Sequence, residues 1–531
     1  MFHLTPVLGR LRAGVRFARS LPSFLAHTLD AAGARRLVTE QLAQRDAAFL
    51  RMLERAVFAR PDSVYGRLFA HAGATHGDVA RLVARDGLEG ALALLHAAGV
   101  RVSLEELKGR APLRRGSLEI ATRAEDFDNP LLAPAYAASS GGSRGAGTRV
   151  LVDLDLLAYE AAHQALFAER FGLGACVAAQ WRPVPPGIAG INNALRSARI
   201  AQPLVRWFSQ SDPHGLDPGN ALLLRILVRT SRRHGGAIPA PEHVPVDDAV
   251  VVARWLAETV ARGATPLLDS TASGLVRVCA AARRAGLDVA GARLRFGGEP
   301  LTDARAAAIA DVGAVALARY SMAEVGVMGV ACARPRAADE VHLLSDKLAF
   351  VQHERPVGVD GRTVGALCLT TLLPASPKLL VNAEIDDYGV LDEHRCGCPL
   401  ESLGLARHLH TIRSFDKLTS EGMSFVGTDL IRLVEHVLPA RFGGDATSWQ
   451  LVEEERDGLP AVELRVHPDV GPVDPDAVVD AALEHLGRVS AAHRMMADAW
   501  RQARTLRVVR EPPVATAAAK ILPLHVRTKP R

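Results

Sequence analysis

Apolar positions in the first 125 residues recur with the period of a helix. In LVTEQLAQRDAAFLRMLERAVF (37–58) they fall three and four apart, which predicts an amphipathic helix. GLEGALALLHAAG (87–99) predicts another, stopped by its final glycine. The opening stretch, MFHLTPVLGRLRAGVRFARSLPSFLAHTLDAAG, threads arginines through an apolar pattern. It reads as a basic amphipathic helix docked on the body of the protein. It lacks a clean apolar segment followed by a small-residue cleavage site, so it is not read as a signal peptide.

The pattern changes after DFDNPLLAP (126–134). A short apolar run, a Gly/Ser loop and a second strand-like run follow in AYAASSGGSRGAGTRVLVDLD. From there to about residue 330 strand-like and helix-like segments alternate, as in ATPLLDSTASGLVRVCAAARRAG and ARLRFGGEPLTDARAAAIADVG. Such alternation predicts a largely parallel sheet covered by helices. Residues 340–410 are richer in β pattern. Beyond Ser414 a smaller α+β unit is expected: a helix in TDLIRLVEHVLPA, a hairpin in SWQLVEEERDGLPAVELRVHP turning at DGLP, and a helix in DPDAVVDAALEHLGRVS. The expected architecture is therefore α/β and α+β multidomain. Residues 1–125 form a helical region packed on the main domain, 126–413 the core with mixed and parallel sheets, and 414–531 a small C-terminal lid.

Composition narrows the function classes. The chain has 531 residues, 48% hydrophobic and 23% charged, which suits several ordinary cores. The net charge of +5 comes from scattered residues with no basic block and no aromatic interleaving, so no nucleic-acid face is expected. No apolar run reaches the roughly 18 residues of a membrane helix. Six cysteines in such a chain are no disulfide framework, and a cytoplasmic protein with reduced thiols is expected.

The segment Ser139-Ser140-Gly141-Gly142-Ser143-Arg144-Gly145-Ala146-Gly147-Thr148 carries the chemistry. Small residues let backbone N–H groups and hydroxyls surround phosphate oxygens. As a P-loop it fails, because no lysine follows Gly147. Gly141 to Gly145 matches G-x-S-x-G, but a strand-like run follows where a nucleophile elbow needs a helix. A plain linker is also open, although the flanking apolar runs count against it.

The loop resembles the Ser/Thr/Gly phosphate loop of adenylate-forming enzymes, and the chain is most similar to their phenylacetate–CoA ligase-like branch. Four further segments occur in that family's order. Arg295-Phe296-Gly297-Gly298-Glu299-Pro300-Leu301 resembles the turn beside adenine, and Tyr320-Ser321-Met322-Ala323-Glu324 the Y-G-M-T-E segment. Asp387, in EIDDYGVL, resembles the aspartate that holds the ribose hydroxyls, and Arg413 the hinge arginine. The resemblance spans about residues 60–525. It implies ATP as cosubstrate, a small carboxylic acid as substrate, and coenzyme A or the phosphopantetheine of an acyl carrier protein as acceptor. It further implies nucleotide contacts from Ser139, Ser140, Gly141, Gly142, Ser143 and Gly145, and Mg²⁺ on Glu324. Lys520, in PPVATAAAKILPL, stands where the family's catalytic lysine lies. A structural Zn²⁺ site of Cys332, His342, Cys396 and Cys398 is implied too, three thiolates and an imidazole being a tetrahedral donor set. Cys176, Cys279 and Cys368 have no partners in the pattern and read as small buried hydrophobes.

The chain departs from the family at several points. The phosphate loop lacks the usual Lys and Pro. Ser321 and Ala323 replace Gly and Thr, and Asn382-Ala383 falls where an Arg-Tyr pair is usual. Phe415 stands where the hinge acid is usual, and Ala519 replaces the Gly before the lysine. Transfer to a protein or cofactor, or nucleotide binding without catalysis, are the alternatives these departures leave open. Pocket-wall residues are expected between 175 and 300, where Trp and Phe could line an acyl pocket. The acid itself is not readable.

Overall fold

The computed structural model describes residues 4–139, 149–234, 236–299, 301–357, 362–414, 417–420, 423–426, 430, 432–445, 447–456, 459–488, 491–514 and 524–526. It opens with helices α1 (Leu4–Ala26), α2 (Ala31–Leu53), α3 (Val64–His71), α4 (His76–Ala97) and α5 (Leu104–Leu107), then a hairpin of β1 (Leu113–Arg115) and β2 (Leu118–Ile120). Sequence chemistry fixes the ends of these helices. Asp30 caps α2 through Gly33 N, and Thr75 with Asp78 forms a capping box on α4. Gly87, at φ 71°, breaks α4 into two segments. Phe17 and Leu21 of α1 are fully buried, so this helix docks on the body as its pattern predicted.

Next come the hairpin β3 (Tyr136–Ser139)–β4 (Arg149–Val152) and helix α6 (Leu154–Arg170). The alternating stretch runs β5 (Val177–Trp181), α7 (Ala189–Arg199), β6 (Arg206–Ser209), α8 (Pro218–Arg233), β7 (Pro241–His243), α9 (Ala249–Ala261), β8 (Pro266–Ser270), α10 (Ala272–Arg284), β9 (Arg293–Phe296), α11 (Asp303–Ala310) and β10 (Val315–Met322). The β-rich stretch supplies β11 (Gly326–Ala331), β12 (Val341–Leu343), β13 (Leu348–Val357), β14 (Arg362–Thr371), β15 (Ala383–Glu393) and β16 (Arg407–Ser414).

These strands form one twelve-stranded sheet in the order β13-β14-β15-β16-β12-β11-β10-β9-β8-β5-β6-β7. Every pair from β10 to β7 is parallel, and every pair from β10 to β13 is antiparallel. β10 is thus the strand where the two halves meet. Ligands in open α/β sheets gather beyond the carboxyl ends of parallel strands, and β10 ends on Tyr320-Ser321-Met322.

One hydrophobic cluster runs from Phe17 to Ile412. A second gathers Leu430, Trp449, Leu464, Leu486 and Trp500. It belongs to the C-terminal sheet β21 (Leu506–Val509)–β20 (Leu459–Val466)–β19 (Trp449–Arg456)–β22 (Leu524–Val526), reached through the hairpin β17 (Lys417–Ser420)–β18 (Met423–Val426). The β19–β20 hairpin closes with Arg456 opposite Leu459, at the expected turn. Helices Pro475–Gly487 and Ala491–Ala503 cover this sheet; only the first was legible as a separate pattern. The second touches the main body, where Val246 N donates to Gln502 Oε1 at 3.0 Å.

Candidate active site

The end of β10 collects side chains from three distant segments. Tyr320 OH donates to Asp387 Oδ2 at 2.7 Å, and Ser414 Oγ donates to Asp387 Oδ1 at 2.6 Å. The β15–β16 register makes this possible by placing Asp387 opposite Ser414 and Tyr388 opposite Arg413. Burial, then the Asp387 carboxylate, pushes the Tyr320 phenol well above its usual range, so it stays a donor. Arg413 donates to Asp339 Oδ2 at 3.2 Å, which anchors the last strand before the C-terminal unit. A register shift between Tyr320 and Ser321 interrupts the regular pairing with β11 at the end of β10.

The turn after β9 behaves differently. Gly298 sits at φ +91°, where a side chain is strained. The Glu299 carboxylate accepts from Ser273 N at 2.7 Å and Ser273 Oγ at 2.9 Å, and from Arg305 at 3.3 Å. It holds the start of α10 and braces the turn. Pro300, the 140–148 loop with Ser140, Gly141, Gly142, Ser143 and Gly145, and Lys520 all lie outside the described residues. What is described is the loop's base, where Ser139 pairs with Arg149 across the β3–β4 hairpin.

Glu324, three per cent exposed, pairs with Lys108 beyond the end of α5. Burial pushes its carboxyl up, but Lys108, and more weakly Lys378, hold it below the ordinary value. Lys378 in turn donates to Asp128 Oδ1 at 2.6 Å, and Arg149 at the loop base pairs with the same carboxylate. Lys108 and Lys378 thus act on Glu324, and Lys378 and Arg149 share Asp128. Lys108 had no signal in its own segment; only the fold brings it here.

The implied metal ligands converge. Cys332, His342, Cys396 and Cys398 are all buried. His342 Nδ1 bonds Leu405 O at 2.7 Å, which leaves Nε2 as the free lone pair. Nε2 lies 3.2 Å from Cys398 Sγ and 3.6 Å from Cys396 Sγ. Such spacings fit donors around a tetrahedral ion with bonds of about 2.0–2.3 Å. A hydrogen bond from Cys332, opposed by burial and helped by His342, pushes Cys398 toward the thiolate. The sequence reading missed the neighbours. His408 stacks on His342 at 4.1 Å and on His394 at 3.9 Å, and Glu340 Oε1 lies 2.8 Å from His408 Nδ1. Cys332, His342 and His408 also form a group of donor atoms within 4.8 Å. Of the other cysteines, Cys279 and Cys368 are buried as expected, and Cys176 is only partly covered. Cys368 also lies within 4.8 Å of donor atoms on His96 and His353.

Below β10 lies a second buried polar cluster. Asp269 of β8 accepts from Arg182 at 2.8 Å, Arg295 at 2.7 Å and Arg319 at 3.0 Å. Glu160 of α6 accepts from Arg196 and from Lys347, each at 2.7 Å, and from Val327 N at 2.7 Å. Gly326 is glycine for a visible reason, since a Cβ there would stand 1.9 Å from Glu160 Oε1. Asn193 Oδ1 links the guanidiniums, accepting from Arg295 at 2.7 Å and Arg319 at 3.2 Å. Of the two readings open for the aromatic residues between 175 and 300, pocket wall or plain core, Trp181, Trp207 and Phe208 take the second, exposed by one per cent or less.

No family model matches this chain, and no curated protein matches it. Among solved structures it has the fold of an AMP-forming acyl-CoA ligase. The likeness is to a 2-hydroxyisobutyryl-CoA ligase solved with 2-HIB-AMP and CoA in the thioesterification state. Identity is 16%, with 94% of this chain and 91% of that chain covered and a TM-score of 0.53. The same ligase in the postadenylation state aligns at 15% identity over 94% and 91% of the two chains, with a TM-score of 0.44. An o-succinylbenzoate CoA synthetase from Bacillus subtilis aligns at 14% identity over 74% and 69%, with a TM-score of 0.40.

Proposed function

We propose that this protein activates a carboxylic acid with ATP, releasing pyrophosphate and forming an acyl adenylate, and then passes the acyl group to the thiol of coenzyme A. The observation that carries this reading is the Tyr320–Asp387–Ser414 constellation at the end of β10, within a fold shared along 94% of the chain with a ligase solved with its adenylate and CoA. Asp387 accepts from the ribose hydroxyls. The turn at Gly298 lies beside adenine, and the backbone of the 140–148 loop holds the phosphates. The acid's carboxylate oxygen attacks the α-phosphorus and pyrophosphate leaves. Lys520, delivered by the C-terminal unit, balances the charge of that step. Catalysis of this kind is mostly positioning and charge stabilisation. Rotation of the C-terminal unit about the segment after Arg413 then admits the thiol.

Mg²⁺ would be held by Glu324, where it would neutralise phosphate charge; in the structure Lys108 occupies that carboxylate. Zn²⁺ would be held by Cys332, His342, Cys396 and Cys398, with no open position, and would clip β11, β12 and the segment before β16 together. Among the described residues no helix is long and apolar enough to cross a membrane.

The test is ATP-dependent pyrophosphate release with hydroxylamine as trap, across a panel of acids. Release with one class of acid, lost in Lys520→Ala by about a hundredfold or more, is the expected result. A wild type that binds ATP and releases nothing with any acid would favour nucleotide binding without catalysis, a reading to which the Lys108–Glu324 pair lends some support.

A further inference from the structure

The buried cluster below β10 is unbalanced. Five cations, Arg182, Arg196, Arg295, Arg319 and Lys347, face the carboxylates of Asp269 and Glu160. Counting Asp346, the residue beside Lys347, still leaves a surplus, and that carboxylate is taken by Tyr159 OH at 2.5 Å and His163 Nε2 at 2.7 Å. Arginine keeps its proton in proteins. Burial, only partly offset by Asp269, and then the guanidiniums of Arg295, Arg196 and Arg182 push the Arg319 ionisation well down from its usual value. A charge left uncompensated in a protein interior is costly, so such a site calls for an anion.

The cluster also encloses space. Arg196, Arg295 and Arg319, with Glu160, His163 and Gln164, face Phe167, Val327 and Val330 across a small cavity of about 20 Å³. That is room for one small polar group. Arg319 Nε and His163 Nδ1 are buried and make no hydrogen bond in the structure. The arginine cluster reaches the turn after β9: Arg182 donates to Gly297 O at 3.2 Å, and a Cβ built on Gly297 would stand 3.7 Å from Arg319 Nε.

We propose that the acid bears a second carboxylate, seated in this cavity against Arg319, Arg295 and Arg196, so that the substrate is a small dicarboxylic acid activated at its other end. The inference rests on the adenylation reading. The group in the cavity is the spectator carboxylate for a chemical reason. Attack on the α-phosphorus turns the reacting carboxylate into a mixed anhydride, which gives up its charge. Guanidiniums that are fixed in the interior fit a group that stays ionised through the reaction. Planar guanidinium forks match a carboxylate and give orientation as well as charge. An apolar acyl chain in the same place would leave the surplus charge unmet.

The experiment measures pyrophosphate release by the full-length, metal-replete protein with succinate and glutarate, against their monoamides and against butyrate and valerate. The expected result is a kcat/KM for a diacid at least about tenfold above its monoamide, as charge-assisted hydrogen bonds allow. In Arg319→Met the ratio of diacid to monoamide should fall about tenfold, and in Arg319→Lys by less, with melting curves showing that both variants fold. Monoacids that match or exceed the diacids overturn the inference and leave adenylation standing. If no acid releases pyrophosphate, the adenylation reading fails, and calorimetry without ATP decides the cavity. Saturable succinate binding that butyrate does not share, lost in Arg319→Met, supports it; equal or absent binding overturns it.

Discussion

Two buried polar clusters lie near β10, and their donors differ in kind. In the first, hard cations crowd two carboxylates, with Asn193 Oδ1 accepting from Arg295 and Arg319 and the Val327 N–H donating to Glu160. On the antiparallel side soft donors, three thiols and an imidazole, face inward with few hard partners. The first cluster sets five cations against two carboxylates and so carries a surplus of positive charge. The second has soft donors that already converge, a set that suits a cation. Both clusters thus lie close to β10, where the sheet changes from parallel to antiparallel pairing.

The largest effect that separates the two should come from Glu160. Glu160→Gln keeps the shape but leaves Lys347 and Arg196 buried against a neutral amide. Breaking a buried pair in this way costs about 3–5 kcal/mol, and urea denaturation should show the loss. The pH dependence sharpens it. Burial raises the Glu160 carboxyl, but Lys347 and then Arg196 hold it down to about 2 from 4.5. A depressed folded pKa stabilises fully above the unfolded value and is lost as pH falls through the folded one. Wild type should therefore lose stability between about pH 4.5 and 2 more steeply than Glu160→Gln. Equal slopes would mean that Glu160 is not ionised in the folded protein.

Metal removal comes next. If zinc fills the second cluster at a hundredfold over its dissociation constant, it adds about 2.7 kcal/mol of stability. A strong chelator should lower the melting temperature of wild type and leave that of Cys398→Ser unchanged. Elemental analysis should give one zinc per chain for wild type and none for the variant. A chelator-insensitive wild type without zinc would make the two clusters alike, both of them fillers of the core.

Sequence and structure agree on the skeleton more than on the sites. Helical and alternating segments, the β-rich stretch and the β19–β20 hairpin were legible because period and turn residues are local properties. The resemblance named Cys332, His342, Cys396 and Cys398 together, and the fold brings them together. The arginine cluster was not legible. RLRF and LARYSM look like ordinary strands with a solvated arginine on one face, and only the sheet order puts Arg295, Arg319 and Arg182 around Asp269. Lys108 was equally hidden, since more than two hundred residues separate it from Glu324. Glu299 was placed at a nucleotide turn by resemblance, and its visible work is to hold Ser273 and Arg305.

The smallest effect tests where the second cluster ends. His394 bonds Asp392 through Nδ1 at 3.2 Å, points Nε2 toward Glu340 at 3.3 Å, and stacks on His408, which stacks on His342. If Cys332, His342, Cys396 and Cys398 hold the ion, His394 acts only by supporting the ring behind a ligand. Removing such support lowers metal affinity by about tenfold at the least. His394→Ala should then keep its zinc and release it to a chromophoric chelator about tenfold more readily than wild type, or about 1.4 kcal/mol. Complete loss of zinc would instead move the ion toward the histidines, with His408 as a ligand beside Cys332 and His342. The antiparallel cluster would then be a site with histidine and carboxylate neighbours of its own, and no longer a closed clip.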